Sequence, residues 1–253
     1  MANVLKRLGE WVAGWTGKQD DEEPPLTEAE IRALIVDESK LVRAKRKFIQ
    51  EERFMKQGRP ERSTDRLPPG QTLTEGFPVL DLGVRPEVPV ETWQLRLDGE
   101  VEAPQVIDWR RLAALPQASM TVDIHCVTAW SRFDNQWGGV RISTILDLCR
   151  PLPSAKAVMI EGYDGYKTNL QLSDFADAKA MIATAWQGKP LTVEHGAPAR
   201  FVLPHLYFWK SAKWIKRITF LKEEQRGFWE VGGYHVRGDP WLQQRYRGDE
   251  PST

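Results

Sequence analysis

The chain has 253 residues, 41% hydrophobic and 28% charged, with 35 Lys+Arg against 35 Asp+Glu. This length is enough to bury a sizeable core and suits one α+β domain with an accessory segment. The balanced charge argues against a nucleic-acid binder with a broad basic surface, two cysteines do not make a disulfide scaffold, and no apolar run approaches the roughly 20 residues of a membrane span.

In chain order, residues 1–17 place Val4, Leu5, Leu8, Trp11, Val12 and Trp15 at helical spacing. After an acidic, proline-containing break, Thr27 and Glu30 read as a capping box opening a second helix that runs to about Met55. Together these make an N-terminal helical arm over 1–58, followed by the main domain over 59–253. Residues 58–89 read as a long loop that wraps the surface or lines a site. Strand alternation then sets Trp93, Leu95 and Leu97 on one side, and a short helix over 108–115 ends at Pro116. The next strand, MTVDIHC, puts Val122, Ile124 and Cys126 on one face and Asp123 and His125 on the other. A Trp- and Gly-rich loop, VTAWSRFDNQWGG, follows it. Ile142, Ile145, Leu146 and Cys149 form the apolar face of a short helix stopped at Pro151. Residues 157–172 read as two strands around a glycine turn, 172–186 as a turn and helix, and 198–204 and 210–223 as the last strands. Short strands and short helices without regular βαβ spacing predict an α+β fold.

Two places carry candidate chemistry. Cys126 ends a buried-looking strand where a thiolate can serve as a soft metal ligand; the residues alone leave it open between that role, a structural thiol and a nucleophile paired with His125, His195, His205 or His235. Cys149, on an apolar helix face, reads as core. No zinc spacing, dinucleotide glycine motif or phosphate-binding loop is present. The second place is the basic run from Arg200 to Arg226, with seven Lys/Arg against two Glu, which can focus potential on an anion. Arg200 and Lys213, embedded among apolar residues, are the preferred anion-binding cations; Lys210, Lys216 and Arg217 read as solvent-facing.

The runs IHCVTAWS, WGGVRISTILD, DGYKTNL and HGAPARFVLPHLYFWKSAKWIKRI, in this order, resemble the molybdopterin domain of the sulfite oxidase family. The likeness covers about residues 67–235 and is nearest to the bacterial branch that includes the methionine-sulfoxide-reducing catalytic subunit. It implies an α+β domain of mixed sheets and short helices holding molybdenum and molybdopterin. By position, Cys126 is the implied metal ligand, Thr128 and Trp130 shape the catalytic mouth, and His195, Arg200, Ser211 and Lys213 hold the pterin and its phosphate. The implied activity is two-electron oxygen-atom transfer on a small molecule, with an external one-electron partner; the alternatives are a cysteine-dependent hydrolase or transferase and a non-enzymatic cofactor binder. Thr128 departs from the branch, which has a carboxylate there. The arginine-containing run of true sulfite oxidases is also missing after Cys126, so the resemblance does not carry sulfite over as substrate. No twin-arginine export signal is visible, and the expected location is cytoplasmic.

Overall fold

The computed structural model describes residues 65–81 and 85–249, so both arm helices and the boundary at residue 58 lie outside the described residues. In chain order the elements are β1 (Thr72–Leu73), β2 (Gln94–Gly99), β3 (Gln105–Asp108), α1 (Trp109–Ala114), β4 (Gln117–His125), β5 (Trp130–Arg141), α2 (Ile142–Cys149), β6 (Ala157–Gly162), β7 (Lys167–Gln171), α3 (Leu172–Phe175), β8 (Met181–Trp186), β9 (Lys189–Pro190), β10 (Arg200–Val202), β11 (Ile215–Leu221) and α4 (Phe228–Val231). Two short 3-10 turns, Val193–His195 and Phe208–Lys210, flank β10.

These strands make two sheets, which bears out the α+β expectation. One runs β3-β2-β11-β6-β7; the other runs β1-β5-β8-β10, with β4 also on β5 and β9 on β8. Alternation explains β2: Leu95 and Leu97 are buried while Gln94 and Arg96 are exposed. The β2–β11 pairing is parallel and the β11–β6 pairing antiparallel. The main core joins Leu95, Leu97, Ile160 and Ile218 of the first sheet to Ile142, Ile145 and Cys149 of α2 and to Val140, Ile182 and Phe201 of the second. Cys149 is therefore core, as its helical spacing predicts.

Two expectations are overturned. The segment after Cys126 is a loop only as far as Ala129; Trp130–Arg141 forms the 12-residue strand β5, paired with β1, β4 and β8. Its glycines read as loop signals, but Gly139 sits at a register shift against β8, where an added Cβ would overlap the Ile182 carbonyl. The glycine permits close strand approach there. The alanine-containing run 181–186, expected as helix, is strand β8, and only Leu172–Phe175 is helical. Helix propensity is a weak prior, and β8 has hydrogen-bonding partners on both sides, β5 and β10.

Candidate active site

The Cys126 turn sits where β4 hands over to β5. Cys126 N–H donates to Trp130 O at 2.8 Å and Ala129 N–H to Cys126 O at 3.1 Å, with Ala129 in the left-handed region at φ 69°. Distant segments hold this turn from outside. Gln71 Nε2 donates to Cys126 O at 3.1 Å, Thr72 N–H to Ala129 O at 2.9 Å, and Arg245 Nη1 to Val127 O at 2.6 Å. Such a turn presents its side chains from a rigid base. Cys126 Sγ lies 3.1 Å from Thr128 Oγ1. His125 points elsewhere: its Nδ1 is 2.8 Å from Ser131 Oγ, and burial pushes its pKa down to about 4.

A cavity of about 150 Å³ is lined by all seven residues singled out from the sequence: Cys126, Thr128, Trp130, His195, Arg200, Ser211 and Lys213. The first three come from the β4–β5 turn and the start of β5. The other four come from the segment around β10, 65 or more residues further along the chain. Gly196, at φ 102°, brings this second group together; a Cβ there would press on Lys213 and Arg200 at 3.0–3.1 Å.

The β10 end is cationic, with Arg200 and Ser211 buried and His195 and Lys213 partly so. Arg200 is 2% exposed, and its guanidinium donates only to the backbone carbonyls of His195, Ser211 and Phe201. Rings of Phe208, Trp137 and Phe77 lie 4.5, 5.4 and 6.0 Å from it. Burial pulls its pKa down to about 9. Lys213 donates to Glu194 O at 3.0 Å and stands 3.8 Å from Asp81. Burial first, and repulsion from Arg200 second, lower it to about 8. Ser211 Oγ accepts from Leu203 N–H at 3.0 Å. His195 stacks on Phe77 with centroids 4.3 Å apart, and burial lowers its pKa. Its Nδ1 lies 2.9 Å from Thr192 Oγ1 and its Nε2 3.3 Å from Phe77 O, so both ring nitrogens are engaged away from Cys126. A desolvated guanidinium bonded only to carbonyls is incompletely compensated and favours an anion beside it.

The remaining basic residues divide unevenly. Arg217 is exposed and pairs with Asp98, and the partly buried Lys216 pairs with Glu161. Lys210 was expected in solvent but is fully buried, 2.7 Å from Glu230 and 2.9 Å from both Asn169 oxygens. Acceptors from Asn169, Val236 and Glu230 that converge on the tip of its four-carbon stem explain the difference. Sequence reasoning also missed Asp164, which lines the cavity, accepts from Tyr166 N–H at 3.1 Å, and is pushed up to about 6 by burial. Its only signal was an acidic residue in a glycine turn between apolar strands.

Residues 82–229 match the family model described as oxidoreductase molybdopterin binding domain. The chain belongs to this family. Among relatives, the uncharacterized oxidoreductase YuiH of Bacillus subtilis is 46% identical over 73% of this chain and 93% of its own length. The protein-methionine-sulfoxide reductase catalytic subunit MsrP of Campylobacter jejuni is 26% identical over 55% of this chain and 52% of its own. The sulfane dehydrogenase SoxCD of Paracoccus pantotrophus has a similar fold, with TM-score 0.51 and 22% identity, over 55% of this chain and 41% of that one. The chain is thus a sulfite-oxidase-like, molybdopterin-binding oxidoreductase. Among the described residues no helix is long and apolar enough to cross a membrane.

Proposed function

We propose that this oxidoreductase performs two-electron oxygen-atom transfer on a small molecule, with Cys126 as the single protein ligand to molybdenum. The observation that carries the proposal is the shared cavity: a thiol at one end and the desolvated Arg200–Lys213 pair at the other. That donor set fits a metal whose other ligands belong to an anionic organic cofactor. Among the described residues, no three His, Cys, Asp or Glu side chains group to bind a metal by themselves. Bound there, the molybdenum cofactor would supply the oxygen-atom-transfer chemistry.

The chain's own residues divide the remaining work. Arg200 and Lys213 neutralise the cofactor phosphate, Ser211 adds a hydroxyl, and His195, stacked on Phe77, contributes to the pterin end. Thr128 hydrogen-bonds the ligand sulfur, and Trp130 forms an apolar wall that excludes water. A sulfoxide or N-oxide reduced by the enzyme is the favoured substrate class, supported by the MsrP relative. Electrons come from a separate one-electron carrier. Catalysis resides in residues 59–253, in the cytoplasm.

Metal analysis and pterin extraction of the purified protein test the assignment together with Cys126→Ser. The wild type should carry molybdenum and pterin near one to one. The C126S protein should keep its fold, lose sulfur coordination from the protein and lose most turnover. Normal turnover in that variant, or hydrolase activity in metal-free protein, refutes the reading.

A further inference from the structure

The family match spans residues 82–229, yet part of the machinery holding the Cys126 turn lies beyond both ends of it. Gln71 and Thr72 come from before the match. Arg245 comes from after it, in a segment with no periodic sequence signal. Its backbone is fixed, because His235 N–H donates to Arg245 O at 3.2 Å and Arg245 N–H to Asp249 Oδ2 at 3.2 Å.

We infer that Arg245 is a positioning residue for the active site, clamping the turn that carries Cys126 and placing a fixed positive charge beside it. The inference deepens the proposed function and rests on Cys126 as the metal ligand. The clamp is direct: Arg245 Nη1 meets Val127 O, the carbonyl one residue after Cys126, at 2.6 Å in a buried setting. Removing the donor leaves that carbonyl buried without its charged partner, which costs more than an ordinary hydrogen bond.

The charge follows from what surrounds the guanidinium. It lies 5.1 Å from the centre of the Tyr207 ring, and Tyr207 packs with Cys126, Val127, Trp209 and Tyr234 in one buried cluster. Among the described residues no carboxylate pairs with the Arg245 side chain; Asp249 takes its backbone N–H instead. In a dry cluster such a charge is weakly screened, so it favours negative charge at the neighbouring sulfur and makes a metal bound there easier to reduce. Arginine suits the position because its flat guanidinium can donate to a carbonyl and lie against an aromatic ring together. The turn itself, VTAWS, contains no cation, so the fold imports one from residue 245.

The test compares wild type, Arg245→Met, Arg245→Lys and Gln71→Leu in the full-length protein. Amide hydrogen exchange of residues 126–130 is measured with and without cofactor, and the molybdenum midpoint potential is measured at matched occupancy. Arg245→Met should speed exchange of the Cys126 and Ala129 amides by about tenfold and lower the potential. Arg245→Lys should keep the potential near wild type while losing part of the protection. Gln71→Leu, a clamp without charge, should speed exchange and leave the potential unchanged. Unaltered exchange or an unaltered potential in Arg245→Met overturns the inference, as does a potential in Arg245→Lys as low as in Arg245→Met. If Arg245→Met does not fold, the Lys and Gln71 variants carry the decision: a lowered potential in both refutes the role of charge. Exchange in cofactor-free protein reads the clamp without reference to the metal. Failure of the Cys126 assignment shows separately, as retention of protein-sulfur coordination in Cys126→Ser.

Discussion

At the scale of single residues, the Thr128 hydroxyl and the Cys126 sulfur are 3.1 Å apart. When the sulfur is an anionic ligand it has no proton, so the hydroxyl must be the donor. With Cys126 as the proposed metal ligand, that bond would withdraw negative charge from it and raise the metal potential. Thr128→Val keeps the shape and removes the donor. It should lower the midpoint potential while leaving cofactor occupancy intact, checked by redox titration against metal content. Introducing Glu at this position should lower the potential further wherever its carboxylate is ionised. An unchanged potential in Thr128→Val would separate the hydroxyl from the metal's electronics.

At the scale of elements, the site depends on β10 and its flanking 3-10 turns bringing Arg200, Ser211 and Lys213 against the β4–β5 turn. Arg200→Ala and Lys213→Ala should each weaken cofactor retention at least tenfold, since each removes a charge-assisted contact to an anion. Lys216→Ala should not, because Lys216 pairs with Glu161 and does not line the cavity. The pH dependence has a definite sign. Lys213 titrates near 8 in the free protein, so it is cationic below that pH and neutral above it. Binding an anion stabilises the cation and raises this pKa. Affinity is therefore full below about 8 and falls as pH rises through and beyond it. Gel filtration followed by molybdenum analysis across pH 7–10 reads this loss. In Lys213→Ala the alkaline decline should flatten, because the Arg200 guanidinium keeps its charge across this range.

At the scale of the whole molecule, the Lys210–Glu230 pair ties several segments together. Lys210 reaches Asn169 on β7 and the Val236 carbonyl, while Glu230 on α4 also accepts from Trp209 Nε1 at 2.8 Å. Trp209 and Trp229 both line the cavity. Lys210→Met leaves a buried carboxylate without its cation and should cost about 3–5 kcal/mol of stability. Adding Glu230→Gln should recover much of that loss, because the amide oxygen still accepts from Trp209 and no charge remains. Urea denaturation of the two single variants and the double variant measures the coupling. Equal losses in Lys210→Met and in the double variant would show that the pair does not act as a unit.

The α+β class, the helix over Ile142–Cys149, the core position of Cys149 and all seven cavity-lining candidates were legible in the sequence. Apolar spacing names a buried face, and the basic run singles out Arg200 and Lys213; the residues alone leave the role of Cys126 open, and Thr128, Trp130, His195 and Ser211 are named only by the resemblance to the molybdopterin family. Other features required the fold. Glycines in 130–141 and alanines in 181–186 give the wrong local signals because strand pairing with β1, β4, β5, β8 and β10 outweighs propensity. Lys210 is drawn inside because Glu230 and Asn169 converge on it from other elements. Asp164 enters the cavity only when the β6–β7 turn meets the Lys213 segment, and Arg245 reaches Val127 from 118 residues away. Those placements are set by contacts between distant segments, whose free energy depends on burial and partners that no window of neighbouring residues contains.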